Sequence, residues 1–376
     1  MTGDIMNFEL NSEQQAIADS VARFTEREYD WDTRMRAIRG EEGRDSLHWA
    51  TFAELGWLGA GLSEDAGGFG GGAVENAAIA QELGKALVNE PFAAHVASLN
   101  LLVASANEAT AGWIERVIMG EMRVAAALQE PQGRGDFECI ATRYEKDGDG
   151  YRLSGAKSLV EGALHAQQLL VPATGENGLA IFAVDTACAG LTRRQYRLFD
   201  SRHVCDFSLD NVSVLPEAVL AIGAGAEEAL AHATDQALVV LCAEALGTME
   251  SALWATRDYL QARTQFRVPL ASFQVLQHRM ADMLIELEMA RSLLFHALGS
   301  ADAEAGARRA AVSALKVQTA HAGLLIGKEA IQMHGGIGVT EELSISHYYR
   351  RLYVVSRLLG DEAFHLARFA SAVDAN

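Results

Sequence analysis

An α+β chain of three consecutive regions, helices, then strands, then helices, is what the 376 residues predict. Apolar residues recur at helical spacing through the first 120 positions and again from about Ala221 onward. The stretch between them is short segments punctuated by turns. The hydrophobic content of 49%, with only five prolines, is enough to bury a large core divided among two or three regions.

The elements follow in order. NSEQQAIADSVARFTERE opens with Asn11 or Ser12 as N-cap, with Gln15 three residues after Ser12, and continues at helical spacing. Further helices are predicted over LHWATFAELGWLGA, AVENAAIAQELGKALV, AAHVASLNLLVASA and AGWIERVIMG, with the glycine-rich SEDAGGFGGG, 63–72, as a connecting loop. GGFGGG lacks the preceding strand that a dinucleotide fingerprint needs. From 121 to 220 the chain reads as a β domain, with KDGDGY and GENG as hairpin turns. Alanine, leucine and glutamate then dominate 224–264, 273–299, 307–334 and 341–370 as helices. The predicted domains are therefore 1–120, 121–220 and 221–376.

A formal net charge of -19 argues against a general nucleic-acid or membrane-surface binder. The apolar run at 237–247 is shorter than a bilayer span and contains Glu244, and the charged N-terminus has no secretory apolar segment. Cys139, Cys188, Cys205 and Cys242 show no metal or CxxC spacing and read as buried thiols in a reducing compartment. No metal site and a cytoplasmic location are expected.

Arg263 sits at a helix end near a second arginine, Arg267, and a guanidinium fork suits a pyrophosphate. Phe266 offers an aromatic face, or a core contact. Gln274 offers an amide to a polar cofactor edge, or caps its own turn. Gln332, followed by Gly335 and Gly336, combines an amide with close backbone approach, or simply marks a helix stop.

YLQARTQFRVPLASFQVLQHRMADML, 259–284, resembles the signature of the flavin-dependent acyl-CoA dehydrogenases. IQMHGGIGVTEE, 331–342, is similar to the family's second C-terminal motif, and LQEPQGRGD, 128–136, to its flavin-facing loop. The resemblance covers essentially the whole chain. It implies an N-terminal helical domain, a middle β-barrel-like domain and a C-terminal four-helix bundle. It also implies FAD, with Arg263, Phe266, Gln274, Gln332, Gly335, Gly336, Leu128 and Gln129 as cofactor contacts. The family's reaction removes the α proton of an acyl-CoA with a glutamate, passes a hydride to flavin and sends the electrons to a separate acceptor such as an electron-transfer flavoprotein.

The family's usual glutamate position falls on Leu359, which takes no proton. The minority position, 236–238, holds Gln236, Ala237 and Leu238. Asp235, Glu244, Asp361 and Glu362 lie near the two positions but are offset from them. Where relatives present Trp-Ile-Thr to the flavin, this chain has Leu159, Val160 and Glu161. Groups that relatives lend to a neighbouring subunit's flavin are thus kept, while groups that serve a subunit's own ring and chemistry are lost. The chain also resembles the small subunits of bacterial two-component dehydrogenases for pimeloyl-CoA and steroid side chains. The resemblance implies an α2β2 assembly with a homologous catalytic subunit, acting in fatty-acid or steroid side-chain catabolism. The alternatives are a self-sufficient homo-oligomer with a relocated base, and a structural paralogue without flavin.

Overall fold

The computed structural model describes residues 9–40 and 48–374. The stretch MTGDIMNF and Leu47, the first residue of the predicted helix LHWATFAELGWLGA, lie outside these residues.

The N-terminal helices are α1 (Ser12–Glu28), α2 (Trp31–Arg39), α3 (Trp49–Glu54), α4 (Ala73–Lys85), α5 (Phe92–Ser105) and α6 (Trp113–Ile118). Asn11 caps α1, accepting from the Glu13 and Gln14 amides at 2.9 Å each, and the Gln14 side chain returns to the Asn11 amide at 3.0 Å. The capping box therefore uses Gln14 rather than Gln15. The predicted helix over 47–60 is interrupted because Gly56 adopts φ 76, after which Trp57–Gly59 forms a separate 3₁₀ turn.

Eight strands follow: β1 (Val124–Ala126), β2 (Arg143–Asp147), β3 (Gly150–Glu161), β4 (Gln168–Gly175), β5 (Gly178–Asp185), β6 (Leu191–Arg197), β7 (His203–Val214) and β8 (Val219–Ile222). Both predicted hairpins form, closing at Asp147–Gly150 and Gly175–Gly178. The order β6-β7-β3-β2-β4-β5-β8, with β1 alongside β4, is an open path. The sheet is mixed, and a closed barrel is not seen among the described residues.

The C-terminal part comprises α7 (Ala224–Ala262), a small hairpin of β9 (Thr264–Gln265) and β10 (Val268–Pro269), then α8 (Gln274–Gly299), α9 (Ala305–His334), α10 (Ile345–Val355) and α11 (Glu362–Asp374). These helices form a bundle against which the N-terminal helices pack. The shared core joins Phe24, Phe52, Ile79 and Leu83 to Leu238, Leu241, Leu246 and Met249. Close approach of α4 and α7 explains two glycines. A Cβ on Gly84 would lie 2.0 Å from the Glu244 carbonyl oxygen, and one on Gly247 would lie 1.9 Å from that of Gln81.

α7 is long and apolar enough to cross a membrane by length and composition, but 83% of its apolar window is buried within the protein. It is a core helix. The helix predicted over 341–370 is broken between Val355 and Glu362. Of the cysteines, Cys205 and Cys242 are buried, Cys188 is half-buried and Cys139 is exposed, so the uniformly buried reading fails at the last two.

Candidate functional site

The predicted cofactor residues fall into two groups that the fold keeps apart. Leu128 and Gln129 are buried on the loop leading from β1, and Gln129 bridges to the β3 strand by accepting the Ser158 amide at 2.9 Å. Just beyond Ser158, β3 carries a bulge in which Leu159 has φ 54. Such a bulge re-aims side chains at a sheet's functional face. Leu159 and Glu161 here line one cavity with Leu128 and Gln129, with Ala237 and Leu241 of α7, and with Leu358 and Leu359.

That cavity measures about 50 Å³. Pockets that take ligands of cofactor size run to several hundred Å³ (roughly 300–1,000). The enclosed space is small for an isoalloxazine ring.

Leu359 forms the floor of this cavity in a turn held by three side chains. Its amide donates to Gln129 Oε1 at 2.9 Å, and its carbonyl accepts from His365 Nε2 at 2.7 Å. The buried Lys316 Nζ donates to the Val355 and Gly360 carbonyls, each at 2.9 Å. Burial lowers the Lys316 ammonium to about 8. Burial, with Lys316 nearby, lowers His365 to about 3, and because a carbonyl only accepts, Nε2 carries the proton of the neutral ring. The turn itself needs left-handed backbone at Leu359, φ 52, and Gly360, φ 95. Sequence periodicity runs through this break because its fastening groups lie far away in the chain.

Three of the four acids near the family positions are held in ion pairs. Glu244 accepts from Arg202 Nη2 at 2.6 Å, Arg351 Nε at 2.7 Å and Arg351 Nη2 at 3.0 Å. Burial opposes its ionisation, but the two guanidinium groups outweigh burial and hold its carboxyl below the ordinary range. Asp200 completes the cluster on Arg351 Nη1 at 2.9 Å. Asp235 is shared by Arg368 Nη2 at 2.8 Å and Arg308 Nε at 3.0 Å. Asp361 caps α11 through the Phe364 amide at 3.1 Å and pairs with Arg357 at 3.3 Å. Glu362 is exposed on the first turn of α11.

The carboxylate that does line the cavity is Glu161, the last residue of the stretch that departs from Trp-Ile-Thr. Its Oε1 lies 3.7 Å from Arg351 Nη1, beyond hydrogen-bond reach, and has no hydrogen-bond partner. Burial raises its pKa more than Arg351 and Arg202 lower it. Gln129 Nε2 is the other unpartnered polar atom beside the cavity. Among the described residues no cluster of three or more His, Cys, Asp or Glu has metal-binding geometry.

The second group lies at the far end of α7. Arg263 is its C-cap, and Phe266, Gln274, Gln332, Gly335 and Gly336 are exposed around it. Tyr259, one turn before Arg263, stacks on His334 with ring centroids 4.3 Å apart and donates to the His334 carbonyl at 3.3 Å. This contact fastens the Gln332–Gly336 segment to the arginine. Gly335 requires glycine because its φ is 65 with ψ -143. Phe273 meets Phe266 edge-on at 6.1 Å, which brings the start of α8 into the same ridge. From Ala237 at the cavity to Ala262 at the ridge, the continuous helix rises about 38 Å.

Models of the acyl-CoA dehydrogenase N-terminal and C-terminal domains match residues 11–121 and 223–373. The chain is 26% identical over 358 residues to the probable acyl-CoA dehydrogenase YngJ of Bacillus subtilis, covering 92% of this chain and 93% of the relative. Among solved structures it is similar to the Tcur3481–Tcur3483 steroid ACAD, solved as a glycine-to-alanine variant, with 29% identity, a TM-score of 0.88 and coverage of 96% and 98%. It also shares its fold with the ChsE4–ChsE5 complex from Mycobacterium tuberculosis, at 24% identity, a TM-score of 0.90 and coverage of 99% and 100%.

Proposed function

Since the chain belongs to the acyl-CoA dehydrogenase family of oxidoreductases, we propose that it is the cofactor-lending subunit of an FAD-dependent, mixed α2β2 acyl-CoA dehydrogenase. The observation that carries this reading is the separation of an exposed cofactor ridge from the small cavity beside Leu359 by about 38 Å of α7. In the complex, Arg263, Phe266, Gln274, Gln332, Gly335 and Gly336 reach the diphosphate and adenine half of an FAD held in the partner's site. The cavity beside Leu128, Gln129 and Leu359 holds no ring. FAD, when bound, supplies the hydride acceptor, and the partner supplies the base. Similarity to the Tcur3481–Tcur3483 steroid ACAD supports a two-component arrangement and a fatty-acid or steroid side-chain substrate.

Exposed apolar side chains on α8 support assembly, since Val275 is 64% exposed and Ile285 57%. The division 1–120, 121–220 and 221–376, a cytoplasmic location and a separate acceptor such as an electron-transfer flavoprotein belong to the same proposal.

The test is to purify the chain alone and with its homologous partner, measuring flavin content and acyl-CoA oxidation in the same samples. Little flavin alone and about one FAD per pair of chains in the complex are expected. Asp235→Asn, Asp361→Asn and Glu362→Gln should leave turnover per bound flavin unchanged. A homotetramer of this chain with one FAD per chain and ordinary turnover would sink the proposal. So would a hundredfold loss on neutralising one of these acids with assembly and flavin intact, since positioned acid–base groups contribute about 10²–10⁴ in rate.

Arg263→Ala in the complex should weaken FAD retention by on the order of tenfold to a hundredfold, the worth of a charge-assisted contact. Its exposure predicts an unchanged fold. Arg263→Lys should recover only part of the loss, because an ammonium does not reproduce a bidentate fork.

A further inference from the structure

The hairpin between α7 and α8 pairs Gln265 with Val268 and Thr264 with Pro269, leaving a two-residue loop of Phe266 and Arg267. Their φ values are 53 and 70. Two consecutive positive φ angles define the type I′ turn, whose second position is the usual place for glycine because a side chain there crowds its own backbone. A bulky residue with positive φ is an outlier that the surroundings must justify.

Nothing among the described residues accounts for it at Arg267. It is exposed, and no ion pair joins it to another described residue. Phe266 beside it is 85% exposed and touches only the edge of Phe273. The result is a strained, solvent-facing cation at the tip of a ridge, in a chain of net charge -19. Strain of this kind that contributes no packing marks a group presented to a ligand.

We propose that Arg267 is a second anion-binding arginine, delivered with Arg263 to the diphosphate of the FAD in the partner's site. The inference rests on the lending role argued above and adds a residue to it. Arg263 leaves the ridge from the end of α7. Arg267 leaves from the hairpin tip, and its base is tied to Arg263 by the Leu270 amide donating to the Arg263 carbonyl at 2.8 Å. Two guanidinium groups rooted on one rigid hairpin can grip the two phosphates separately.

This role sets stability against binding at one position. In the intact complex, Arg267→Gly should relieve the turn and raise the chain's melting temperature by about 1–3 °C. It should also weaken FAD retention on the order of tenfold, read by flavin fluorescence on dilution, and flatten the salt dependence of that retention. Arg267→Lys should keep the strain and lose part of the affinity. Arg263→Ala, measured alongside, separates the two ideas. Normal FAD retention in Arg267→Gly while Arg263→Ala loses flavin overturns the role of Arg267 and leaves the lending role standing. Normal retention in both overturns the lending role, and the inference with it. Dissociation of the complex with flavin content per complex unchanged makes Arg267 an interface residue and also overturns the inference.

Discussion

Glu244→Gln should destabilise the chain by about 3–5 kcal/mol, the usual cost of removing one partner from a buried ion pair. The size follows from what is left behind. Arg202 and Arg351 are both buried, and both direct their guanidinium groups at the Glu244 carboxylate. Without it, Arg351 keeps Asp200 at 2.9 Å and Glu161 at 3.7 Å, and Arg202 keeps the Val88 carbonyl at 2.8 Å. The cluster joins β7's approach, α7 and α10, so its loss loosens the sheet from the bundle. Urea denaturation of the wild type and variant measures the effect. A stable variant with a hundredfold slower complex would instead make Glu244 a base.

The pH dependence of this gap has a definite sign. The folded Glu244 carboxyl lies below its ordinary 4.5, so its stabilisation is present above about 4.5 and is lost as pH falls through the folded value. The difference between wild type and Glu244→Gln should therefore shrink in acid. Glu161 acts in the opposite sense. Burial raises its folded value above 4.5, so its contribution is present below 4.5 and is lost as pH rises through the folded value.

What the sequence made legible was local. Helical spacing located α7, α8 and α9 to within two residues, and two-residue turn chemistry located both β hairpins, because each of those signals lies within a few positions of the element it specifies. That Leu359 itself takes no proton was legible directly from its side chain. The roles of the neighbouring acids were not. Arg351 is 107 residues from Glu244, and Arg368 is 133 from Asp235, so local pattern could not distinguish a free base from a buried ion partner. Glu161 illustrates the same limit, since the cavity it lines and the Arg351 beside it come from distant parts of the chain. The predicted helix over 341–370 failed where long-range hydrogen bonds override periodicity, at the turn fastened by Gln129, Lys316 and His365.

That turn is the place where one small substitution has a large effect. Gly360 has φ 95, and a Cβ there would lie 2.3 Å from Phe364 Cδ1 and 2.8 Å from His365 Nε2. Gly360→Ala therefore combines a backbone penalty of about 1–2 kcal/mol with overpacking of about 1–3 kcal/mol. A loss of roughly 3 kcal/mol is expected from chemical denaturation of the chain. Phe364, the nearest group, has to shift, and crowding of His365 and Gly360 strains the bonds to the Leu359 carbonyl and from Lys316 to the Gly360 carbonyl. If the turn is a structural plug, loosening it lowers stability and leaves turnover per bound flavin in the surviving complex unchanged, because the reacting groups are on the partner. If it is part of a working site, Gly360→Ala lowers turnover per flavin even in the folded fraction. Measuring both quantities on one preparation separates a plug from an active-site wall.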